Sequence, residues 1–600
     1  MLSIFEHFRV NRIERPDAAA FLIAAGDRSV PISWREFTRD IEEIAWLAEN
    51  KLAPGTTVGL LGENSYEWIC AHAAGLFAGV VVVPLEVGLS PREIADRLVF
   101  VGAKVLIHSA LYADKAHEVE RLVPGLVVGG FGSRKAEELM SIARAALDMG
   151  DDGVFDLPPR DGSQTAMIVF TSGTTSRPRG AELTLDSLGS FAEFASARLP
   201  LKCGDRSLML LPLHHIYGIA VTYLMLAKGV SLGVCPDFRR IIDAVERFRA
   251  NCLYLVPALA EILASKISQR GRSAEEVFGC PIDWVLSGGA PLSRRTHEHL
   301  ESLGMRVLQI YGLTETCAAY AMSPYADPRP GSVGLGARGD GGLEIKTSQE
   351  GHLLIRGPAV MKGYFQERVS SAQVLSSDGW FDTGDIGRID ADGYVWITGR
   401  ASRTIVLSSG KKVAPEELEE LILAIPGVEE VVVSGDGATR ELRAEIFASV
   451  SEPTLRRQID ALNRRQPVHK RIRHVVARAE PFPRTASGKI KVAPPEVEVV
   501  SSPETLLPPV SMESALRSRP ASRVRHLLLK ITFWIFSVTA VMVLFLNFFQ
   551  AYVVRTGAAL PEWTKFWLGF FEEAGELLLA ILVLPVLFFL HRFIQRLRER

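Results

Sequence analysis

Residues 171–182 read TSGTTSRPRGAE, and their types suit the holding of an anion. Thr171, Ser172, Thr174, Thr175 and Ser176 offer hydroxyl donors, Gly173 and Gly180 let backbone approach a ligand, and Arg177 and Arg179 add positive charge. Donors, open backbone and guanidinium groups in one loop are what a polyphosphate requires. The order GxxxxGK[ST] of a Walker A loop is absent. A plain polar loop has the same composition, so the stretch by itself supports both readings.

The other reactive side chains narrow the chemistry. His214 and His215 stand side by side in LPLHHIYG, where adjacent imidazoles cannot easily share one zinc ion. The six cysteines, at 70, 203, 235, 252, 280 and 317, form no CxxC pair and read as reduced, mostly buried thiols. The N-terminal stretch from TVGLLG to AKVLIHS carries no GxGxxG, so nothing there points to a nicotinamide or flavin site. With 67 Lys and Arg against 69 Asp and Glu, no global basic field suggests nucleic acid, and local patches are a separate question.

The elements that must position these residues alternate. TVGLLG, VVVVPL and AKVLIHS read as strands, and SYEWICAHAAGLFAG and SPREIADRLVFVG as helices. Such alternation predicts parallel sheets covered by helices. Short apolar strands then recur before polar loops: AMIVF before the 171–182 stretch, DWVLS before GGAPLS, RVLQI before YGLTET. Strand ends of this kind are where α/β proteins place ligands.

Seven motifs stand in order between Phe170 and Ile490, FTSGTTSRPRGAE, LPLHHIYG, LSGGAPLS, YGLTET, GWFDTGDIG, GRASRTIVLSSGKKVAPEELEE and PRTASGKI, within a match that covers roughly residues 10–492. In this the chain resembles the adenylate-forming (AMP-binding) superfamily, of the acyl-CoA synthetase type. The resemblance implies a reaction in which a carboxylic acid and ATP give an acyl-adenylate and pyrophosphate. A thiol, usually coenzyme A, then takes the acyl group and releases AMP. It implies an α/β fold: a large N-terminal domain of helix-covered sheets over 1–399 and a small mobile α+β lid over 400–493. It also assigns roles. Lys489 is the lysine bridging carboxylate and α-phosphate, and Glu315 is the Mg2+ ligand, a hard oxygen for a hard cation. Thr314 donates to phosphate, Tyr311 stacks on adenine, and Asp385 and Arg400 contact the ribose. Thr171, Ser172, Gly173, Thr174, Thr175 and Arg179 form the phosphate loop, and Gly288 and Gly289 pass between adenine and acyl chain. His215 belongs to the acyl-pocket wall and gate, His214 takes the place of an aromatic residue, and Gly410 lines the thiol entry beside Lys411 and Lys412. Read without the resemblance, Thr314 and Glu315 fit a helix start and Asp385 an Asx-turn.

Two departures from the family pattern stand out. Arg179 replaces the usual lysine of the phosphate loop, keeping the charge but changing its geometry. At the expected hinge, Ser402 and Arg403 replace a charged residue and an acid, which reverses the local charge. A membrane-tethered nucleotide or acyl binder without catalysis is therefore a second reading.

The C-terminal end has another character. Residues 494–525 are Pro- and Ser-rich and read as a linker, with no carrier domain visible. The 526–600 region reads as a membrane anchor. Ile531 to Val554 runs without a formal charge, long enough to cross a ~30 Å hydrocarbon layer. A second apolar segment, about 575–594, is broken by Pro585. Arg517, Arg519, Arg523, Arg525 and Lys530 precede the first run and Arg592, Arg596, Arg598 and Arg600 follow the second, with Arg555 and Lys565 between. The positive-inside tendency predicts a transmembrane helical hairpin with the catalytic domains facing the cytoplasm, although arginines beside a single span also bind anionic headgroups. A membrane-held site beside lipidic acids points to a medium- or long-chain fatty acid as substrate. Coenzyme A is the expected acceptor, with acyl carrier protein or an acyl-AMP ligase as the alternative.

Overall fold

The structure is a computed structural model and describes residues 4–26, 28–131, 161–171, 179–407, 409, 411–436, 439, 441–483 and 490. Ser172 to Pro178, Gly410, Lys489, the 494–525 linker and both apolar runs lie outside the described residues. Among the described residues no helix is long and apolar enough to cross a membrane.

The expected alternation folds into a six-stranded sheet. Its order is Val127–Gly130, Val105–His108, Thr57–Leu61, Val81–Leu85, Thr165–Phe170, Gly180–Thr184, the first five parallel and the last antiparallel. Successive side chains of a strand point to opposite faces. Met167 and Val169 accordingly enter the core beneath the helix Tyr66–Phe77, while Ile168 enters the core beneath Pro91–Phe100 and Ala113–Leu122. Both faces are covered, which is why these strands are near-continuous in Val, Ile and Leu. The helix Pro91–Phe100 starts where it does because Ser90 and Glu93 form a capping box with Pro91 in the first turn.

Cys252–Leu255, Trp284–Ser287 and Arg306–Tyr311 run parallel in a five-stranded sheet closed by two short antiparallel strands. A four-stranded sheet joins Arg28–Ser33, Ala19–Ala25, Ser231–Val234 and Arg206–Met209. An antiparallel meander follows: Glu344–Thr347, His352–Arg356, Phe381–Ile389, Val395–Arg400. Beyond it, Val428–Gly435, Leu442–Ala448 and Ile472–Arg478 form a three-stranded sheet. Its core, with Val431, Val433, Ala444 and Ile446, is shared with Leu418 and Ile422 of Pro415–Leu423 and with Leu455 and Ile459 of Glu452–Arg465.

Candidate active site

The strand Thr165–Phe170 and its antiparallel partner Gly180–Thr184 make a hairpin, so the residues flanking the polar loop are held together: Thr171 N–H donates to the Arg179 carbonyl at 2.8 Å. Segment 361–365 pairs on the outer edge of this hairpin. Glu182 N–H donates to Gly363 O at 3.0 Å and Phe365 N–H to Gly180 O at 2.8 Å. The same segment reaches the YGLTET turn, where Met361 N–H donates to the Glu315 carbonyl at 2.8 Å. One short stretch thus ties the candidate phosphate loop to the candidate metal ligand.

Its side chains repeat the connection. Tyr364 Oη donates to Glu315 Oε1 at 2.8 Å, and burial followed by the adjacent Glu315 charge pushes the phenol pKa well up. The Arg179 guanidinium lies 5.2 Å from the centre of the Tyr364 ring, with its Nε 3.6 Å from Glu367 Oε2. A cation over an aromatic face is attracted by the ring quadrupole.

Thr314 and Glu315 occupy a three-residue 3-10 turn, Thr314–Thr316, in place of the longer helix start that composition alone suggests. Tight packing explains this. A Cβ on Gly312 would lie 1.9 Å from the Ala318 carbonyl oxygen, so the chain doubles back at once. Cys317 and Ala318 then adopt φ of 46° and 85°, a conformation non-glycine residues take at an energetic cost. Both Thr314 and Glu315 are half-buried, and the Thr314 hydroxyl has no hydrogen-bond partner among the described residues.

Asp385 departs from the Asx-turn expectation. It lies within the strand Phe381–Ile389, directly opposite Arg400 on Val395–Arg400; Asp382 makes the turn-like contact instead, accepting from Gly384 N–H at 2.8 Å. Cross-strand placement brings opposite charges together. Arg400 Nε is 2.6 Å from Asp385 Oδ1, and Tyr311 Oη donates to Asp385 Oδ2 at 2.5 Å. Burial is the largest effect and lowers the Arg400 pKa, but Asp385, Tyr311 and Glu315 together turn this into a net rise. Asp385 is only 3% exposed and both its oxygens hold protein donors, so ribose hydroxyls can be accepted only on the remaining lone pairs. Tyr311 is buried and stands edge-on to Tyr320, ring centres 5.1 Å apart.

Gly288 follows the strand Trp284–Ser287. A Cβ there would come within 2.4 Å of Ile310 Cγ2 and 3.0 Å of the Tyr217 ring, so no side chain fits in this passage. Gly289 adopts φ of 80°. The Tyr217 hydroxyl is fixed on the Leu286 carbonyl at 3.1 Å. His215 caps the helix Ile216–Ala227 through its backbone only, and its ring centre lies 4.5 Å from that of His214. Burial, then the charges of His215 and Arg97, pull His214 down to about 3, so it is a neutral wall.

At the hinge, Arg403 does not present a free charge. It bonds Glu416 at 3.0 Å and Glu419 at 2.6 Å, both on Pro415–Leu423. Tyr364 and Tyr217 are the residues the sequence did not single out. KGYFQ is unremarkable in one dimension, and only its pairing with the hairpin edge shows its place.

The residues present fit a nucleotide with its cation. Glu315 supplies a hard oxygen, Thr314 an unpartnered hydroxyl, Asp385 and Arg400 a polar pair, and Gly288 a backbone without a side chain, packed against Ile310 and Tyr217.

The family model described as AMP-binding enzyme matches residues 8–365, and that described as AMP-binding enzyme C-terminal domain matches 402–494. The chain is 31% identical over 492 residues to an indoleacetate–CoA ligase of Aromatoleum aromaticum, covering 77% of this chain and 92% of the relative. It is 29% identical to a long-chain-fatty-acid–CoA ligase of Mycobacterium tuberculosis, covering 73% and 87%. Among solved structures it is similar to ATP-bound MatB from Rhodopseudomonas palustris, with TM-score 0.69 and 25% identity over 82% of this chain and 97% of that one.

Proposed function

The chain belongs to the AMP-binding enzyme family, and from that premise we propose a fatty-acid–CoA ligase held at a membrane. As an ATP-dependent acid–thiol ligase it activates a carboxylic acid through an acyl-adenylate, with Mg2+, and passes the acyl group to coenzyme A.

The chain's own residues divide the work. Joining a carboxylate to an α-phosphate brings two anions together, so fixed positive groups must face the oxygens where charge builds. Arg179, just before the strand Gly180–Thr184, and Arg400, at the end of Val395–Arg400, are the proposed positive groups beside Lys489. Lys489 is the proposed group for the reacting oxygens. Tyr364 fixes the Glu315 carboxylate, which would hold the cation, and the cation when bound offsets phosphate charge. Asp385, Tyr311 and Arg400 form one bonded set for the nucleoside, and Gly410 with Lys411 and Lys412 is proposed for the thiol side. Rigid placement of this kind removes reorganisation from the chemical step.

The observation that carries the fatty-acid reading is the charge-free run Ile531–Val554. With the second apolar segment at about 575–594 and the flanking arginines, it supports two membrane crossings with the ligase on the cytoplasmic side, beside a reservoir of lipidic acids. Local supply raises concentration without selecting a chain length. Relatives named for indoleacetate, ferulate and succinylbenzoate set the competing acids for the test. Thioester formation is measured with octanoate, palmitate, indoleacetate and ferulate. The proposal expects a fatty acid to give the highest kcat/KM; an aryl acid in first place overturns it.

A further inference from the structure

Although the whole chain is nearly neutral, one stretch of the small C-terminal domain is not. Residues 464–473, RRQPVHKRIR, carry Arg464, Arg465, Lys470, Arg471 and Arg473 with no acid among them. They cover the end of the helix Glu452–Arg465, the turn Val468–Lys470 and the start of the strand Ile472–Arg478. Leu455 and Ile459 face the core, which turns Arg457 and Arg464, at the opposite pole of the helix, outward. Lys470 pairs with Glu417. None of Arg457, Arg464, Arg465, Arg471 and Arg473 meets a carboxylate among the described residues, and Arg464, Arg465 and Arg473 are exposed. In the middle of these cations Val468 is 65% exposed.

We propose that this apex is a docking surface for the anionic headgroups of a lipid bilayer, with Val468 entering the interface between its arginines. Three arguments select that occupant. Clustered Lys and Arg beside an apolar tip match a negatively charged membrane surface, where each basic side chain adds attraction that salt screens. The chain supplies a membrane of its own: two apolar segments bracketed by arginines follow about sixty residues downstream. Binding to single-stranded nucleic acid calls for aromatic platforms, and no Phe, Tyr or Trp occurs between Phe447 and Phe482. The docked apex would hold the small domain at the lipid surface, next to the source of acid. This rests on the membrane-attached reading above, and the test separates the two.

The full chain carries Cys203→Ser, removing the exposed cysteine, and Val468→Cys labelled with an environment-sensitive fluorophore. It is added to vesicles of phosphatidylcholine alone or with phosphatidylserine, with a probe at Val369→Cys in the large domain as reference. The expected result is a blue shift at 468 only with phosphatidylserine, reversed by ~0.5 M salt, and lost in Arg464→Glu/Arg465→Glu/Arg473→Glu, with no lipid-dependent shift at 369. A shift of that kind without attachment to phosphatidylcholine vesicles supports the apex and removes the hairpin. Attachment to both vesicle types with no charge-dependent shift at 468 overturns the apex and leaves the hairpin standing. An unshifted probe, together with a triple variant whose KM for coenzyme A alone rises severalfold, assigns the cations to the phosphates of the thiol substrate and also overturns the proposal.

Discussion

Tyr364 donates its hydroxyl to the carboxylate of Glu315 at 2.8 Å, and the same Tyr364 ring lies 5.2 Å from the guanidinium of Arg179. The candidate metal ligand and the last residue of the candidate phosphate loop are therefore positioned by one side chain. That side chain is delivered by segment 361–365, which adds itself to the hairpin edge.

Removing the bond tests its purpose. Tyr364→Phe keeps the ring and deletes the donor, so the fold persists while Glu315 loses its fixed orientation. Groups that orient a metal ligand commonly change metal affinity by about 10–100-fold. Half-saturation by Mg2+ should rise roughly tenfold at fixed ATP, while KM for the acid stays near wild type. An unchanged Mg2+ dependence would show that Tyr364 only packs.

Arg179→Lys addresses the departure in the phosphate loop. Lysine keeps the charge but gives up the planar fork that faces both Tyr364 and Glu367. Steady-state kinetics should show a severalfold rise in KM for ATP with kcat reduced less. Complete indifference to the swap would count against contact with phosphate.

Arg403 predicts a division between half-reactions. Its guanidinium joins Glu416 and Glu419, so Arg403→Glu places three carboxylates together at the start of the small domain. Thioester formation should fall more than acid-dependent pyrophosphate exchange, on the expectation from the family resemblance that the small domain swings about this hinge between the two half-reactions. Equal losses in both would mean that Arg403 serves stability alone.

A pH effect follows from Glu42 on the helix Trp34–Lys51. Burial, opposed by Arg12 and assisted by Glu43, raises its pKa to about 7 from the usual carboxylate value of 4.5. In the folded state it keeps its proton over an interval where the unfolded chain has lost it. Its stabilising contribution is therefore complete below 4.5 and is lost as pH rises through 7. Glu42→Gln should abolish that slope and raise the thermal midpoint at pH 8, a gain on the order of 1–2 kcal/mol. A wild-type midpoint that climbs between pH 5 and pH 7, with no difference in the variant, would contradict the assignment.

The sequence made the strand ends readable because buried parallel strands leave continuous apolar runs, and AMIVF, DWVLS and RVLQI all end where the candidate site begins. It also offered the polar loop at 171–182 and the charged residues Glu315, Asp385 and Arg400 as candidates through residue type. It concealed the bonding among them. Asp385 reads as a turn residue in FDTGDIG, yet strand pairing sets it opposite Arg400, a relation fixed by register. Tyr364 was hidden for the same reason, since its neighbour Ala181 is distant in sequence and adjacent only through a β-bridge. Arg403 read as a reversed charge at the hinge because its two glutamate partners sit 13 and 16 residues further along the chain.

The central claim is that an acid is joined to AMP before any thiol is involved, with Lys489 steadying the reacting oxygens. Isotope exchange between pyrophosphate and ATP measures that step directly, using the full chain without coenzyme A. The account predicts exchange only when a carboxylic acid is added, and its loss in Lys489→Met with the protein still folded. Exchange that ignores the acid, or that continues at the wild-type rate in Lys489→Met, would contradict it.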